Sequence, residues 1–516
     1  MVKRANGPLL AALPEAPDTA QLPLYLQLYR RLRDGVVSGA FRSGDRLPSA
    51  RALAADLGVS RNTVEGAIRQ LRAEGFLIRR VGAGTFVARA AAEPLIGASA
   101  RAAARARRGA VASRAPGDGL SRRGRGVAEY RDPSTEPAGR SFAETAPPLE
   151  EFPLDTWLRT VARAARRGRQ ELLGPMHEAG YAPLRQALAA HLAASRGVRC
   201  DWRQVLITSS TQQSLDLAAR LLIDPGDAVA CENPCYAGAR AALQFAGARL
   251  APVRVDDQGA DFTSLAAAAR DARLAYVTPS HQYPLGPTMT LERRLALLRW
   301  AGEGGRWIFE DDYDSEFGYG GRAVMAVQGL DQAQRVIYAG SLNKILFPTI
   351  RLAYLVVPDV LMEPFDHAVI AAGGPAPTLA QAAAAEFIAG GHLAAHLRRT
   401  RERYRERRDV LLGALARELG GTLTVIAADA GMHVTATLPA GYDDADIARR
   451  ASAQGFEAPP LSSYYIAEPR VSGLLLHFAR VPPANIRRAV SGLARCIAES
   501  PRERLRAQSR RPASGR

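Results

Sequence analysis

The sequence predicts a multidomain chain: an N-terminal, mainly helical winged helix-turn-helix unit, then a larger α/β domain that carries a smaller α+β lobe. Three observations predict it. At 516 residues and 47% hydrophobic content, the chain is too long for one ordinary domain and has apolar residues enough for more than one core. Between about Ala88 and Gly139 the composition turns to Ala, Arg, Gly, Ser and Pro, with few large apolar side chains, which is the composition of a linker. Beyond Phe142, apolar runs of strand length alternate with helical stretches. The expected bounds are 20–88 for the first unit, 89–139 for the linker, 140–500 for the α/β domain and 501–516 for a basic tail. Within the α/β domain a large lobe is expected over about 180–395 and a small one over about 396–500.

In the first unit, Leu24, Leu28 and Leu32 mark a helix over Tyr25–Ser38 that Gly39 ends. Ser49 caps a short second helix running to Leu57 and stopped by Gly58. Ser60 caps a third, in which Val64, Ala67, Ile68 and Leu71 fall on one stripe, with Gly75 as the stop. Phe76–Val81 and Thr85–Val87, turned by Gly82-Ala83-Gly84, make a basic hairpin. Two helices about the tight Leu57-Gly58-Val59 turn, followed by that hairpin, form a helix-turn-helix with a wing. The third helix is then the recognition helix, with Arg61, Asn62 and Thr63 in the turn that meets base edges and phosphates. Arg51 and the wing backbone at Gly82 can hold phosphates; each arginine taken alone reads equally well as part of a solvated face.

In the body, strands are expected at Val205–Ile207, Ala228–Cys231, Ala275–Thr278, Trp307–Phe309, Val336–Ala339 and Leu352–Val357. Helices such as Gln212–Leu222 and Leu291–Ala301 separate them, so a mainly parallel sheet should gather several βα turns at one edge. From Leu397 to Glu499 a long arginine-rich helix leads into mixed strands and helices.

Charge is uneven along the chain. Residues 1–130 hold 22 Lys and Arg against 10 Asp and Glu, residues 501–516 hold 6 against 1, and the rest hold 40 of each. A basic front end beside a neutral body points to a polyanion met by the front end alone. Four cysteines without a paired array (Cys200, Cys231, Cys235, Cys496) read as reduced thiols, and no metal site is expected. With no apolar run of 18 residues and no secretory N-terminus, a cytoplasmic protein without membrane contact is expected.

Of 68 basic residues only Lys3 and Lys344 are lysine. Arginine keeps its proton, whereas an amine can lose it and attack a carbonyl, so Lys344 stands out as a nucleophile. A cofactor with an aldehyde, a pyridine nitrogen and a phosphate needs such a lysine, a carboxylate for the ring nitrogen and donors for the phosphate. Asp311, at the end of the strand Trp307–Phe309, suits the nitrogen, and Tyr313 suits the ring hydroxyl. Ser210 and Thr211, opening a helix after a strand, suit the phosphate, joined by Ser341 and Arg351. Capping alone would explain the first two. Ser341-x-x-Lys344 also fits a serine acyl-enzyme pair, but the Lys-Thr-Gly element of that chemistry has no lysine left to supply it.

The runs Gly44–Ala54, Val59–Val64 and Gly82–Val87 closely resemble the GntR family of winged-helix regulators. The body resembles fold-type I aminotransferases at Ile207–Gln213, Pro225–Asp227, Glu232–Tyr236, Thr278–Gly286, Glu310–Phe317 and Ser341–Lys344, so the whole resembles the MocR subfamily of GntR regulators. The resemblance implies a regulator that senses pyridoxal 5'-phosphate, or an amino compound, through a Schiff base at Lys344. It implies Asp311 and Tyr313 as ring partners, Tyr236 as the stacking aromatic, and Ser210, Thr211, Ser341 and Arg351 around the phosphate, with His281 and Gln282 near the ring. Its DNA contacts are Arg51, Arg61, Asn62, Thr63 and Gly82 on a double-stranded operator, and it implies a homodimer. Related enzymes clamp a substrate carboxylate with a late-strand arginine; that strand here reads Leu474-Leu475-Leu476-His477-Phe478, leaving Arg480 as the carboxylate candidate. Two rivals stay open: an active aminotransferase carrying a DNA-binding domain, and a repressor whose body only dimerises. A sensor retaining transaminase half-reactions lies between them.

Overall fold

The computed structural model describes residues 22–37, 40–80, 82–88, 119–130, 141–142, 147–174, 178–320 and 324–500. The basic tail and most of the expected linker lie outside the described residues. The chain forms two compact units, Met1–Asp118 and Gly119–Arg516.

In the first unit, α1 (Leu24–Val37), α2 (Ala50–Leu57) and α3 (Arg61–Ala73) precede β1 (Leu77–Arg80) and β2 (Gly84–Val87). Both expected caps form: Ser49 Oγ accepts from the Ala52 N–H at 3.2 Å and Ser60 Oγ from the Thr63 N–H at 3.1 Å. Gly58 closes α2 at φ +64°, a left-handed turn open to glycine without strain, and sets the angle to α3. Leu28, Leu32, Val36, Leu53, Val64, Ala67 and Leu71 fill the core; Ile68, expected on the same stripe, is only half-buried. The hairpin pairs Leu77 with Val87 and buries that end, while Arg79, Arg80, Gly82 and Ala83 stand in solvent.

In the second unit a helix, α4 (Arg122–Glu129), stands inside the segment expected as linker. Its two glycines give it little propensity. Ser121 caps it, and Tyr130 at its end packs edge-on to Phe245 at 6.0 Å, so docking supplies what the local sequence does not.

The body holds an eight-stranded sheet, with α5 (Ala182–Arg196) ahead of it in the chain. Its strands are β3 (Val205–Thr208), β4 (Ala228–Asn233), β5 (Arg249–Asp256), β6 (Gly259–Ala260), β7 (Leu274–Val277), β8 (Trp307–Asp312), β9 (Val336–Ser341) and β10 (Ala353–Val356), in the order β3-β10-β9-β8-β7-β4-β5-β6. The sheet is mainly parallel, with β10 and the short β6 reversed. Helices α6 (Thr211–Leu222) and α7 (Ala237–Ala246) cover one face and α8 (Leu291–Gly304) the other. Adjacent residues of β4 divide accordingly: Val229 and Cys231 enter one core, Ala228 and Ala230 the other. The expected strands are all present. β5 and β6 were not expected, because Pro252 interrupts the apolar run; β5 tolerates it beyond the last full partner of the sheet, where only two of its residues pair with β6.

The small lobe begins with α9 (His392–Leu419), five residues ahead of the expected Leu397. An antiparallel sheet follows, of β11 (Thr424–Ile426), β12 (His433–Thr437) and β13 (Gly473–His477), packed with α10 (Asp444–Ala453) and α11 (Pro483–Glu499). The four cysteines are free thiols. No described helix is long and apolar enough to cross a membrane.

Candidate functional site

The carboxylate run at the end of β8 divides its labour. Glu310 accepts the backbone N–H groups of Val327 and Gln328, both at 2.8 Å, and Asp312 accepts from Arg196 Nε at 2.8 Å and from the Tyr338 hydroxyl at 2.6 Å. Asp311, between them, is 5% exposed. Tyr276 donates to its Oδ2 at 2.7 Å, while Oδ1 is buried without a described partner. Burial pushes its carboxyl up to about 6, held back by the Tyr276 bond and by the charge of Lys344.

Lys344 lies in the turn after β9, with Nζ 5.2 Å from the centroid of the Tyr313 ring. Tyr313 Oη is 2.9 Å from His281 Nδ1, and that nitrogen is also 3.0 Å from Asp314 Oδ2. Tyr283 stands edge-on to both Tyr313 and Tyr236, at 5.6 Å in each case, so Tyr236 joins the same aromatic group from the start of α7. Gln282 is buried beneath it, donating to Glu232 at 3.1 Å and to the Pro234 carbonyl at 3.0 Å.

Ser210 caps α6, accepting from the Gln213 N–H at 3.1 Å, so capping is its role within the protein, and Thr211 is the first residue of that helix. The link from this turn to the lysine is Asn343, a residue sequence reasoning quoted without a role. Its Nδ2 donates to the Ser209 carbonyl at 3.3 Å, and its Oδ1 accepts from Leu352 N–H at 2.9 Å. Asn343 thus ties the turn ahead of α6 to the turn after β9, and Arg351, exposed at φ +52°, directly precedes the Leu352 that it holds. Arg480 sits half-buried beyond β13, bonded to no described group. His433 and His477 are members to which the sequence alone gave no site role: their rings are 5.2 Å apart, and His433 is 5.2 Å from His281. They come from the small lobe, 89 residues or more beyond Lys344, where only the tertiary fold reveals them.

In the first unit, Arg51, Arg61 and Asn62 are exposed. Arg61 Nε pairs with Glu65 at 2.8 Å, which aims it along α3, and Thr63 Oγ1 is 2.8 Å from Ser60 Oγ, so this hydroxyl is shared with the cap. Gly82 turns the wing at φ +76° with open space around it. One groove is lined by Arg46, Arg51, Arg61, Arg69, Arg72 and Arg79. Four of these six were not singled out from the sequence; the recurrence of Arg61, Arg69 and Arg72 on one side of α3 is a signal that finds two of them, Arg69 and Arg72.

Comparison with known proteins matches residues 24–87 to the bacterial regulatory proteins of the gntR family and residues 142–493 to aminotransferase class I and II. The chain is 40% identical to the probable rhizopine catabolism regulatory protein MocR of Rhizobium meliloti, over 92% of this chain and 94% of that protein. Among solved structures, LysN, the alpha-aminoadipate aminotransferase of Thermus thermophilus complexed with N-(5'-phosphopyridoxyl)-L-leucine, is 31% identical with a TM-score of 0.64, over 69% of this chain and 92% of that one. The Pyrococcus horikoshii kynurenine aminotransferase, complexed with PMP, is 28% identical with a TM-score of 0.66, over 70% and 92%.

Proposed function

Since this chain belongs to the MocR subfamily of GntR regulators, with a winged helix-turn-helix ahead of an aminotransferase class I and II body, we propose that it is a DNA-binding transcriptional regulator that senses pyridoxal phosphate, or an amino compound meeting that cofactor at Lys344. It acts on a double-stranded operator through α3 and the wing, as a cytoplasmic homodimer.

The observation that carries the sensing half is Asp311 Oδ1, a buried acceptor with no described donor, in a site that also holds Lys344. A protonated ring nitrogen is the donor that such an oxygen lacks. Asp311 would hold the pyridine nitrogen, Tyr313 the ring hydroxyl, and Ser210, Thr211, Ser341 and Arg351 the phosphate, with Tyr236 against the ring. When bound, the cofactor supplies an aldehyde carbon with which amines condense. The protein's part is to keep a buried carboxylate available for the ring nitrogen and to keep the half-buried Lys344 amine in the same site. The regulator of Rhizobium meliloti supports the regulatory half, and the phosphopyridoxyl ligand of LysN supports the cofactor.

Lys344→Ala tests this. Wild-type protein given pyridoxal phosphate should develop a visible absorption band that the variant lacks, while operator binding by the variant without cofactor stays within a few-fold of wild type in a gel-shift titration. An equal band in the variant would overturn the assignment of the lysine. Sustained product formation from an amino acid and a keto acid would instead favour the enzyme reading, which the solved aminotransferase relatives keep in view.

A further inference from the structure

Among the described residues lining the arginine groove of the first unit, Glu65 is the one that is acidic. Its side chain is 41% exposed, and Oε1 accepts from Arg61 Nε at 2.8 Å. Val64, Ala67 and Leu71 bury the inner side of α3. With about 3.6 residues per turn, Arg61, Glu65, Arg69 and Arg72 fall on one outward stripe. The carboxylate therefore stands a turn beyond Arg61 and a turn ahead of Arg69.

Stability does not account for an acid at this place. An exposed ion pair contributes little, and a carboxylate four residues C-terminal to its cation is the weaker of the two orders on a helix. Among the described residues the other five arginines of the groove pair with no carboxylate. Glu65 thus offsets one charge of six in a groove that faces phosphates, and the phosphates repel it in turn.

A carboxylate that meets DNA needs a donor, because it can only accept. In the major groove guanine and thymine present acceptors, and the donors are the N4 amino group of cytosine and the N6 amino group of adenine. Adenine sets N7, an acceptor, beside its amino group, whereas cytosine sets none there. With Oε1 held by Arg61, Oε2 is the atom left to accept. Resting on the operator reading above, we propose that Glu65 sets sequence specificity: it accepts the N4 amino group of a cytosine in the major groove, while Arg61 beside it meets a phosphate.

The test lets full-length protein select from a random duplex library, and the sequences enriched give a base preference at each position of the half-site. Glu65→Gln should turn one wild-type cytosine position to adenine, because an amide donates as well as accepts and so pairs with N7 and N6 together. Glu65→Ala should lose the preference at that same position, by about fivefold or more in relative affinity, and leave the other positions unchanged. Both variants should bind an unselected duplex several-fold more tightly than wild type, since a negative charge has left the groove. Arg61→Ala should weaken binding to every sequence and keep the cytosine. Profiles of the two Glu65 variants that superimpose on wild type would overturn the proposal. Equal loss at every position would also overturn it, as the mark of a helix that has merely loosened. Loss of the cytosine in Arg61→Ala would do the same, because Glu65 would then act only through that arginine. In each of these cases wild type still selects an operator, and the operator reading stands. A wild type that enriches no sequence removes both. Should Glu65→Ala fail to fold, Glu65→Gln, which keeps the shape of the side chain, decides alone.

Discussion

Burial beside other carboxylates makes ionised Asp311 costly in the cofactor-free protein, and the sign of that cost is testable. Its folded pKa, about 6, lies above the ordinary value of 3.8. A carboxyl raised on folding contributes stability that is fully present below the unfolded value and lost as pH rises through the folded one. Two units correspond to about 3 kcal/mol at most. Asp311→Asn should therefore gain stability relative to wild type between pH 4 and pH 7, read as a growing difference in urea midpoints. Glu310, pushed up to about 7 by burial, tilts wild type and variant alike, while Glu232, also pushed up to about 7 mainly by burial, is raised in small part by the Asp311 charge, so the difference reports Asp311 together with that minor contribution. Adding pyridoxal phosphate to wild type should flatten its slope, because a donor at Oδ1 favours the carboxylate. A variant that tracks wild type across this range would show that Oδ1 is already satisfied. Lys344, Asp311 and Tyr313 were legible in the sequence because a cofactor's chemistry demands those types close to strand ends. Asn343 was not: its amide ties two loops through backbone atoms, and nothing in its neighbours announces that.

Among the elements, α3 depends on its cap more than on its composition. It begins with Arg61 and Asn62, so fraying of its first turn would misplace the side chains meant for DNA. Ser60 Oγ satisfies the Thr63 N–H there. Ser60→Ala should cost about 1 kcal/mol in the unfolding of the first unit and weaken operator binding. Ser49→Ala, at the equivalent cap of α2, should cost a similar amount in unfolding but less in binding, since α2 carries only Arg51 among the expected contacts. Equal binding losses would place the two caps in one structural role. Capping and apolar spacing are local, which is why all three helices were found close to their observed ends. α4 and β5 were missed for the opposite reason: one is held by Tyr130 against Phe245, the other by β4, and neither partner is adjacent in sequence.

For the whole molecule, the division of charge sets an expectation that joins the two units. The front 130 residues are strongly basic while residues 131–500 balance 40 positive against 40 negative charges. Raising salt from 50 to 200 mM should thus lower operator affinity by orders of magnitude yet leave the amine midpoint of the free protein almost unchanged. Arg61→Ala should lower the slope of log affinity against log salt by about 1. Regulation requires more than two such independent activities. If an amine changes operator affinity by some factor, operator DNA must change amine affinity by the same factor, typically 5–150-fold. Saturating operator DNA should therefore shift the amine midpoint of the spectral titration by the factor found in gel shifts with and without amine, at one fixed salt. Agreement of the two factors makes the body a sensor for the winged helix. If both factors equal one, the units are uncoupled, and the winged helix serves only to place an aminotransferase on DNA.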